Sequence, residues 1–142
     1  MTIAAILEGK PRDIVSVGAG TSVRDAVALL AEKKIGAMPV LEGGRVVGIM
    51  SERDVIYCLS SDGAGMLDWP VSRVMTAPAI TIESKVPVLA ALSQMTRRRI
   101  RHLPVVDGDR LAGFVSIGDL VAYRISRIEQ EAEAMRAYIQ SA

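Results

Sequence analysis

Two Ser-x-x-Asp tetrads, beginning at Ser51 and Ser116 and closed by Asp54 and Asp119, are the residues of this chain whose types and spacing could do chemistry. Each stands where an apolar run, RVVGIM or RLAGFV, gives way to a helical pattern. Free N–H groups at a helix start attract phosphate or carboxylate. A serine hydroxyl there can donate to a phosphate oxygen. An aspartate one turn in can accept from both hydroxyls of a ribose, as the acidic residue does in dinucleotide folds. The same spacing also makes a capping box, in which Ser accepts from a backbone N–H and the acid complements the helix dipole. The two roles are compatible, and both stay open.

Other reactive residues have plainer roles. Arg97, Arg98, Arg99 and Arg101 form the sharpest local charge. They could grip a polyphosphate, or serve a helix C-terminus whose dipole cations offset. Nucleic acid is a distant alternative, because aromatics are only 4% of the chain and stacking platforms are scarce. His102 is the only histidine. It has no Cys or His partners at ligand spacing, so no metal site is expected. Cys58 lies among Val55, Ile56 and Leu59 and reads as a small buried hydrophobe. Trp69, beside Pro70, reads as a hydrophobic anchor that could also touch a partner protein. No nucleophile–base pair, paired carboxylates or metal cluster emerges, so an enzyme is not expected.

The elements that must position the tetrads come from an internal repeat. IGAMPVLEGGRVVGIMSERDV (from Ile35) returns as IRHLPVVDGDRLAGFVSIGDL (from Ile100) at an offset of 65 residues. The offset pairs Pro39 with Pro104, Gly48 with Gly113, Ser51 with Ser116 and Asp54 with Asp119. It runs back through Val23 and Val88 to the alternating Val15, Val17 and Ile80, Ile82. Each copy reads as strand, helix, strand, strand, helix, giving an α/β (α+β) fold of two tandem β-α-β-β-α repeats. IVSV and AITI are the first strands. Val23, Ala26, Val27, Leu30 and Val88, Ala91, Leu92, Met95 are helical stripes that bury one face. Thr21 or Ser22 starts the first helix, with Asp25 just inside. EGG and DGD turn the hairpins. IAAIL near the N-terminus matches VSRVM at an offset of 68 residues.

One small unit cannot bury both faces of its sheet, whereas two packed copies can. The expected organisation is repeat 1 over 1–60, a Gly-rich linker over 61–70, repeat 2 over 71–125 and a helical extension over 126–142. Half of the 142 residues are apolar, enough for a core, and 23% are charged. A formal net charge of +1 gives no global attraction to nucleic acid or anionic membrane. A single cysteine, no apolar run of membrane-spanning length and no secretory signal point to a soluble cytoplasmic protein.

The doubled pattern x-x-P-V, hairpin, G-h-h-S-x-x-D resembles the CBS domain, and GIMSERDV is similar to stand-alone bacterial CBS-pair proteins. The resemblance covers roughly residues 1–125. It implies a Bateman module with pseudo-twofold symmetry and two clefts between the repeats, in which members bind AMP, ADP, ATP, NAD(H) or S-adenosylmethionine. It implies one cleft at Ser51, Arg53 and Asp54, its adenine end near Thr76, Ile80, Ile100, Arg101 and His102. The other holds Ser116, Gly118 and Asp119, with Lys10, Val15, Ile35, Gly36 and Ala37. The Asp54 cleft has Arg53, Arg101 and His102 to neutralise phosphates, so it should prefer the phosphorylated ligand. The Asp119 cleft should have room but little charge.

After Asp119 no helix breaker intervenes, and Val121, Ile125, Ile128, Ala132, Met135 and Ile139 are spaced 4, 3, 4, 3, 4. That is a heptad seam. It predicts a homodimer in which this helix packs on its mate, the alternative being a helix folded back on its own domain. The functional expectation is a regulatory sensor of adenosine nucleotides acting on a separate, unidentified effector protein. The alternative is a scaffold that dimerises with empty clefts.

Overall fold

The computed structural model describes residues 1–141 and gives both expected stripes to helices: α2 (Val23–Lys33) and α4 (Val88–Arg98). Val23, Ala26 and Leu30 of α2 are buried, as are Val88, Ala91 and Met95 of α4. Ser22 rather than Thr21 caps α2, its hydroxyl accepting from the Asp25 N–H at 3.1 Å. α4 begins after Pro87 without a side-chain cap. Both helices end in a left-handed residue that is not glycine, Lys34 (φ 53°) and Arg99 (φ 55°). The next N–H, of Ile35 or Ile100, then returns to the carbonyl of Leu30 or Met95. This is the Schellman closure, and it turns the chain sharply into the following strand.

The hairpins follow. β2 (Ala37–Glu42) pairs antiparallel with β3 (Arg45–Ser51), and β4 (His102–Asp107) with β5 (Arg110–Ser116). Gly43 and Gly44 both have positive φ, the two-residue loop whose twist matches that of the strands. A bulge interrupts each ladder at the same place, after Val40 and after Val105. β3 runs into α3 (Glu52–Asp62) and β5 into α5 (Ile117–Ser141).

The first strands are shorter than IVSV and AITI suggested. β1 is only Val17–Gly18, parallel to β2, and its counterpart is the single bridge Ile82↔Val105. The difference between copies has a local cause. The Ala19 N–H continues the ladder onto the Leu41 carbonyl, whereas the Ser84 N–H is taken by the Asp107 carboxylate at 2.9 Å.

The two cores mirror one another. Val17, Val23, Ala26, Leu30, Met38, Val40 and Met50 are buried, and so are Ile82, Val88, Ala91, Met95, Leu103, Val105 and Val115. Each Val, Leu, Ile or Met among them contributes about 1.5–3 kcal/mol by leaving water. The cores also trade segments. α1 (Ile3–Glu8) buries Ile3 and Ile6 in the second repeat's core. The segment expected as a linker over 61–70 holds the end of α3 and a 3-10 turn, Ala64–Asp68, and a second such turn, Val71–Arg73, follows; together they bury Met66 and Val71 in the first core. The segment is thus a packed element rather than a tether.

α5 has 25 residues, about 37 Å at 1.5 Å per residue. Its first turns pack on the second core through Ile117, Leu120 and Tyr123, but its heptad seam is not covered by its own domain. Val121, Ile125, Ile128, Met135 and Ile139 are all at least two-fifths exposed, and Ala132 is exposed as well. No helix among the described residues is long and apolar enough to cross a membrane.

Candidate functional site

Ser51 ends β3 and caps α3. Its hydroxyl accepts from the Asp54 N–H at 3.1 Å, and its own N–H donates to Asp54 Oδ2 at 3.0 Å. The capping box is therefore present. It also holds the carboxylate in one orientation: Oδ2 receives the Ser51 hydroxyl at 2.9 Å and Oδ1 the Thr76 hydroxyl at 2.9 Å. Oδ1 keeps a free lone pair, since a carboxylate offers about four acceptor positions.

Thr76 arrives there because Gly48 lets it. A Cβ at Gly48 would lie 2.6 Å from Met75 Sδ and 2.8 Å from the Thr76 carbonyl oxygen. Without one, the backbone at Met75 and Thr76 crosses β3, and Ile49 and Thr76 exchange N–H···O bonds of 3.0 and 2.9 Å.

The resulting cavity, about 240 Å³, is lined by Gly36, Ile49, Ser51, Glu52, Arg53, Asp54, Thr76, Pro78, Ala79, Ile80, Arg99, Ile100, Arg101 and His102. All eight residues assigned to the Asp54 cleft line this cavity. Gly36, which the resemblance placed in the other cleft, lines this one instead, its carbonyl accepting from the Glu52 N–H at 3.0 Å at the start of α3. Ile49, Glu52, Pro78, Ala79 and Arg99 join them. Only Arg99 carried a sequence signal, as part of the arginine run. That run divides: Arg97 and Arg98 lie in the last turn of α4, where they offset its dipole, while Arg99 and Arg101 face the cavity. The walls are apolar at Ile49, Ala79, Ile80 and Ile100, three guanidinium groups supply positive charge, and Asp54 offers an acceptor.

The second cleft departs from its twin. Ser116 and Asp119 form the same capping pair, with the Ser116 N–H donating to Asp119 Oδ2 at 2.8 Å and the Asp119 N–H to Ser116 Oγ at 3.1 Å. The Lys10 ammonium then donates to Asp119 Oδ2 at 2.6 Å and to the Phe114 carbonyl at 2.8 Å. A cavity of about 490 Å³ lies beside it, lined by Leu7, Lys10, Pro11, Arg12, Asp13, Ile14, Val15, Ile35, Ala37, Arg110, Leu111, Ala112, Gly113 and Phe114. Lys10, Val15, Ile35 and Ala37 are thus together, whereas Ser116, Gly118 and Asp119 do not line the cavity. The expectation of little charge there is corrected by Lys10, Arg12 and Arg110. Burial pushes the Asp119 carboxyl up, but the Lys10 and Ser116 hydrogen bonds and the Lys10 charge outweigh it and hold the group below the ordinary range.

His102 sits between the clefts. It lines the Asp54 cavity, and its ring stacks on Phe114, centroids 5.5 Å apart and planes within 8°. Burial lowers its pKa below the ordinary 6.5; Asp119 and Glu52 pull it up, Arg101 and Lys10 push it down, and the net shift is downward. Cys58 is half-buried against the first core, its thiol 3.6 Å from Asp62. Trp69 packs on that core and carries the Arg73 guanidinium 3.5 Å over its ring. No metal-binding cluster exists among the described residues.

The CBS domain model matches residues 11–61 and 71–126. The chain is similar to a solved CBS-domain-containing protein from Agrobacterium tumefaciens, with 37% identity, a TM-score of 0.82, and 87% of this chain and 92% of that one covered. A mitochondrial CBS-domain-containing protein of Arabidopsis thaliana, CBSX3, is 34% identical over 124 residues; the match takes in 84% of this chain and 60% of the longer plant protein. The fold is also that of the CBS domain pair of protein MJ0100, solved with 5′-methylthioadenosine and S-adenosyl-L-methionine. There the identity is 22%, the TM-score 0.79, and the coverage 89% of this chain and 98% of that one. Two in-register repeats, their exchanged cores and these matches place the chain in the CBS-domain family, as a CBS pair.

Proposed function

We propose that this CBS pair is a regulatory sensor that binds an adenosine-containing ligand, AMP, ADP, ATP, NAD(H) or S-adenosylmethionine, in the Asp54 cleft and signals to a separate partner. One observation carries the reading: an oriented carboxylate with a free acceptor position shares one cavity with an apolar wall and three arginines. The apolar wall suits an adenine, Asp54 Oδ1 suits a ribose hydroxyl, and Arg53, Arg99 and Arg101 suit phosphate. Phosphorylated ligands are accordingly favoured over neutral ones in this cleft. The ligands of MJ0100 are adenosine compounds, which agrees with this chemistry on a shared fold.

Ligand binding shifts the arrangement of repeats or protomers only by its differential affinity for the two states. The exposed seam of α5 supports a homodimer as the unit that responds, with this helix packed on its mate.

Thermal unfolding against a panel of AMP, ADP, ATP, NAD, NADH and S-adenosylmethionine tests the reading. A ligand at 100 times its Kd adds about 2.7 kcal/mol, on the order of 10 °C for a chain of this size. The shift is expected for a phosphorylated member and absent in Asp54→Ala. No shift with any ligand would turn the reading to a scaffold with empty clefts.

A further inference from the structure

The two clefts begin from the same tetrad, yet only one leaves its aspartate facing a cavity. The difference is one side chain from far away in sequence. Lys10 lies 109 residues from Asp119 and closes on it from the N-terminal connection between α1 and β1. Its ammonium is anchored twice, on the carboxylate and on the Phe114 carbonyl. Both partners of the ion pair are about two-thirds buried, with side-chain exposures of 33% and 30%. Asp54 instead meets the hydroxyl of Thr76, a neutral group that leaves its charge in place.

A ribose hydroxyl is a weaker donor to carboxylate than an ammonium is. Lys10 takes Asp119 Oδ2, the oxygen that the Ser51 hydroxyl holds at Asp54, and neutralises the carboxylate, so a ribose hydroxyl would meet a weaker acceptor there than at Asp54. Gly118 stands where the first repeat has Arg53, so the first turn of α5 offers no cation beside Asp119.

We infer that Lys10 is a specificity-determining residue that neutralises Asp119 and ties it up beside the second cavity, so that each chain takes one adenosine ligand, in the Asp54 cleft. This rests on the reading of the clefts as adenosine sites, and the closing experiment separates the two.

Isothermal titration with AMP, and with ATP as a second probe, would be run on the wild-type chain, Asp54→Ala, Asp119→Ala, Lys10→Ala and Lys10→Ala with Asp119→Ala. Circular dichroism would confirm the fold, and Lys10→Gln would replace the alanine variant if that one fails to fold. The wild type is expected to bind one ligand per chain, lost in Asp54→Ala. Lys10→Ala is expected to bind two, returning to one when Asp119 is also removed. A wild type that binds two, with one lost in Asp119→Ala, overturns the inference, as does a Lys10→Ala chain that stays at one. If the wild type binds none while Lys10→Ala binds one through Asp119, the Lys10 assignment stands and the reading of the Asp54 cleft falls. No binding in any variant refutes both.

Discussion

Replacing Gly48 by alanine should cost far more than the same change at its repeat-mate Gly113, although both positions are tight. At Gly48 the new methyl would sit 2.8 Å from the Thr76 carbonyl oxygen and 2.6 Å from Met75 Sδ. The carbonyl is backbone, held by the two Ile49–Thr76 hydrogen bonds, and cannot rotate away. At Gly113 the methyl meets the branched end of Leu7, a half-buried side chain that can change rotamer. Overpacking costs roughly 1–3 kcal/mol, and each backbone hydrogen bond lost about 1 kcal/mol. Gly48→Ala should therefore lose about 3–4 kcal/mol, and Gly113→Ala about 1 kcal/mol. For a chain of this length that separates the melting temperatures by on the order of 10 °C. Urea denaturation followed by circular dichroism measures both. The displaced Thr76 also releases Asp54 Oδ1, so Gly48→Ala should weaken any ligand of that cleft. If Gly113→Ala is as destabilising as Gly48→Ala, the steric account of the glycine is wrong.

His102 supplies a pH test. Its folded pKa lies below the ordinary 6.5, so the unfolded chain takes the proton first. Its contribution is complete above about pH 6.5 and is lost as pH falls through that value toward the folded pKa. Stability should decline as pH falls below about 6.5 in the wild type and less so in His102→Gln; parallel curves would refute the assignment. The α5 seam makes a third prediction. Light scattering at micromolar concentration should give a dimeric mass, and Ile125→Glu with Ile128→Glu should give a monomer that still folds, since both side chains are about half exposed on the single chain. A monomeric wild type would remove the dimer.

Much of this protein was legible in its sequence because its periodicities are local. The 65-residue offset, the helical stripes and the glycine-bearing hairpins each report which face a side chain presents, and burial follows face. The capping role of Ser51 and Asp54 was readable for the same reason, since partner atoms three residues apart must meet at a helix start. The first strands were overread, because a β-branched run promises a ladder only if its neighbour's N–H groups are free, and the Asp107 carboxylate takes the one at Ser84. The exchange of α1 and the linker between cores was hidden too: Ile3 and Met66 are apolar in any arrangement, and only packing decides whose core they fill. The same holds for the clefts. Two tetrads identical in Ser and Asp became unequal through Thr76 and Lys10, which lie 22 and 109 residues from the carboxylates they meet. Such distances leave no period in a sequence. The fold closes them, and the charge or neutrality of the group that arrives decides whether an aspartate is left open to a ligand.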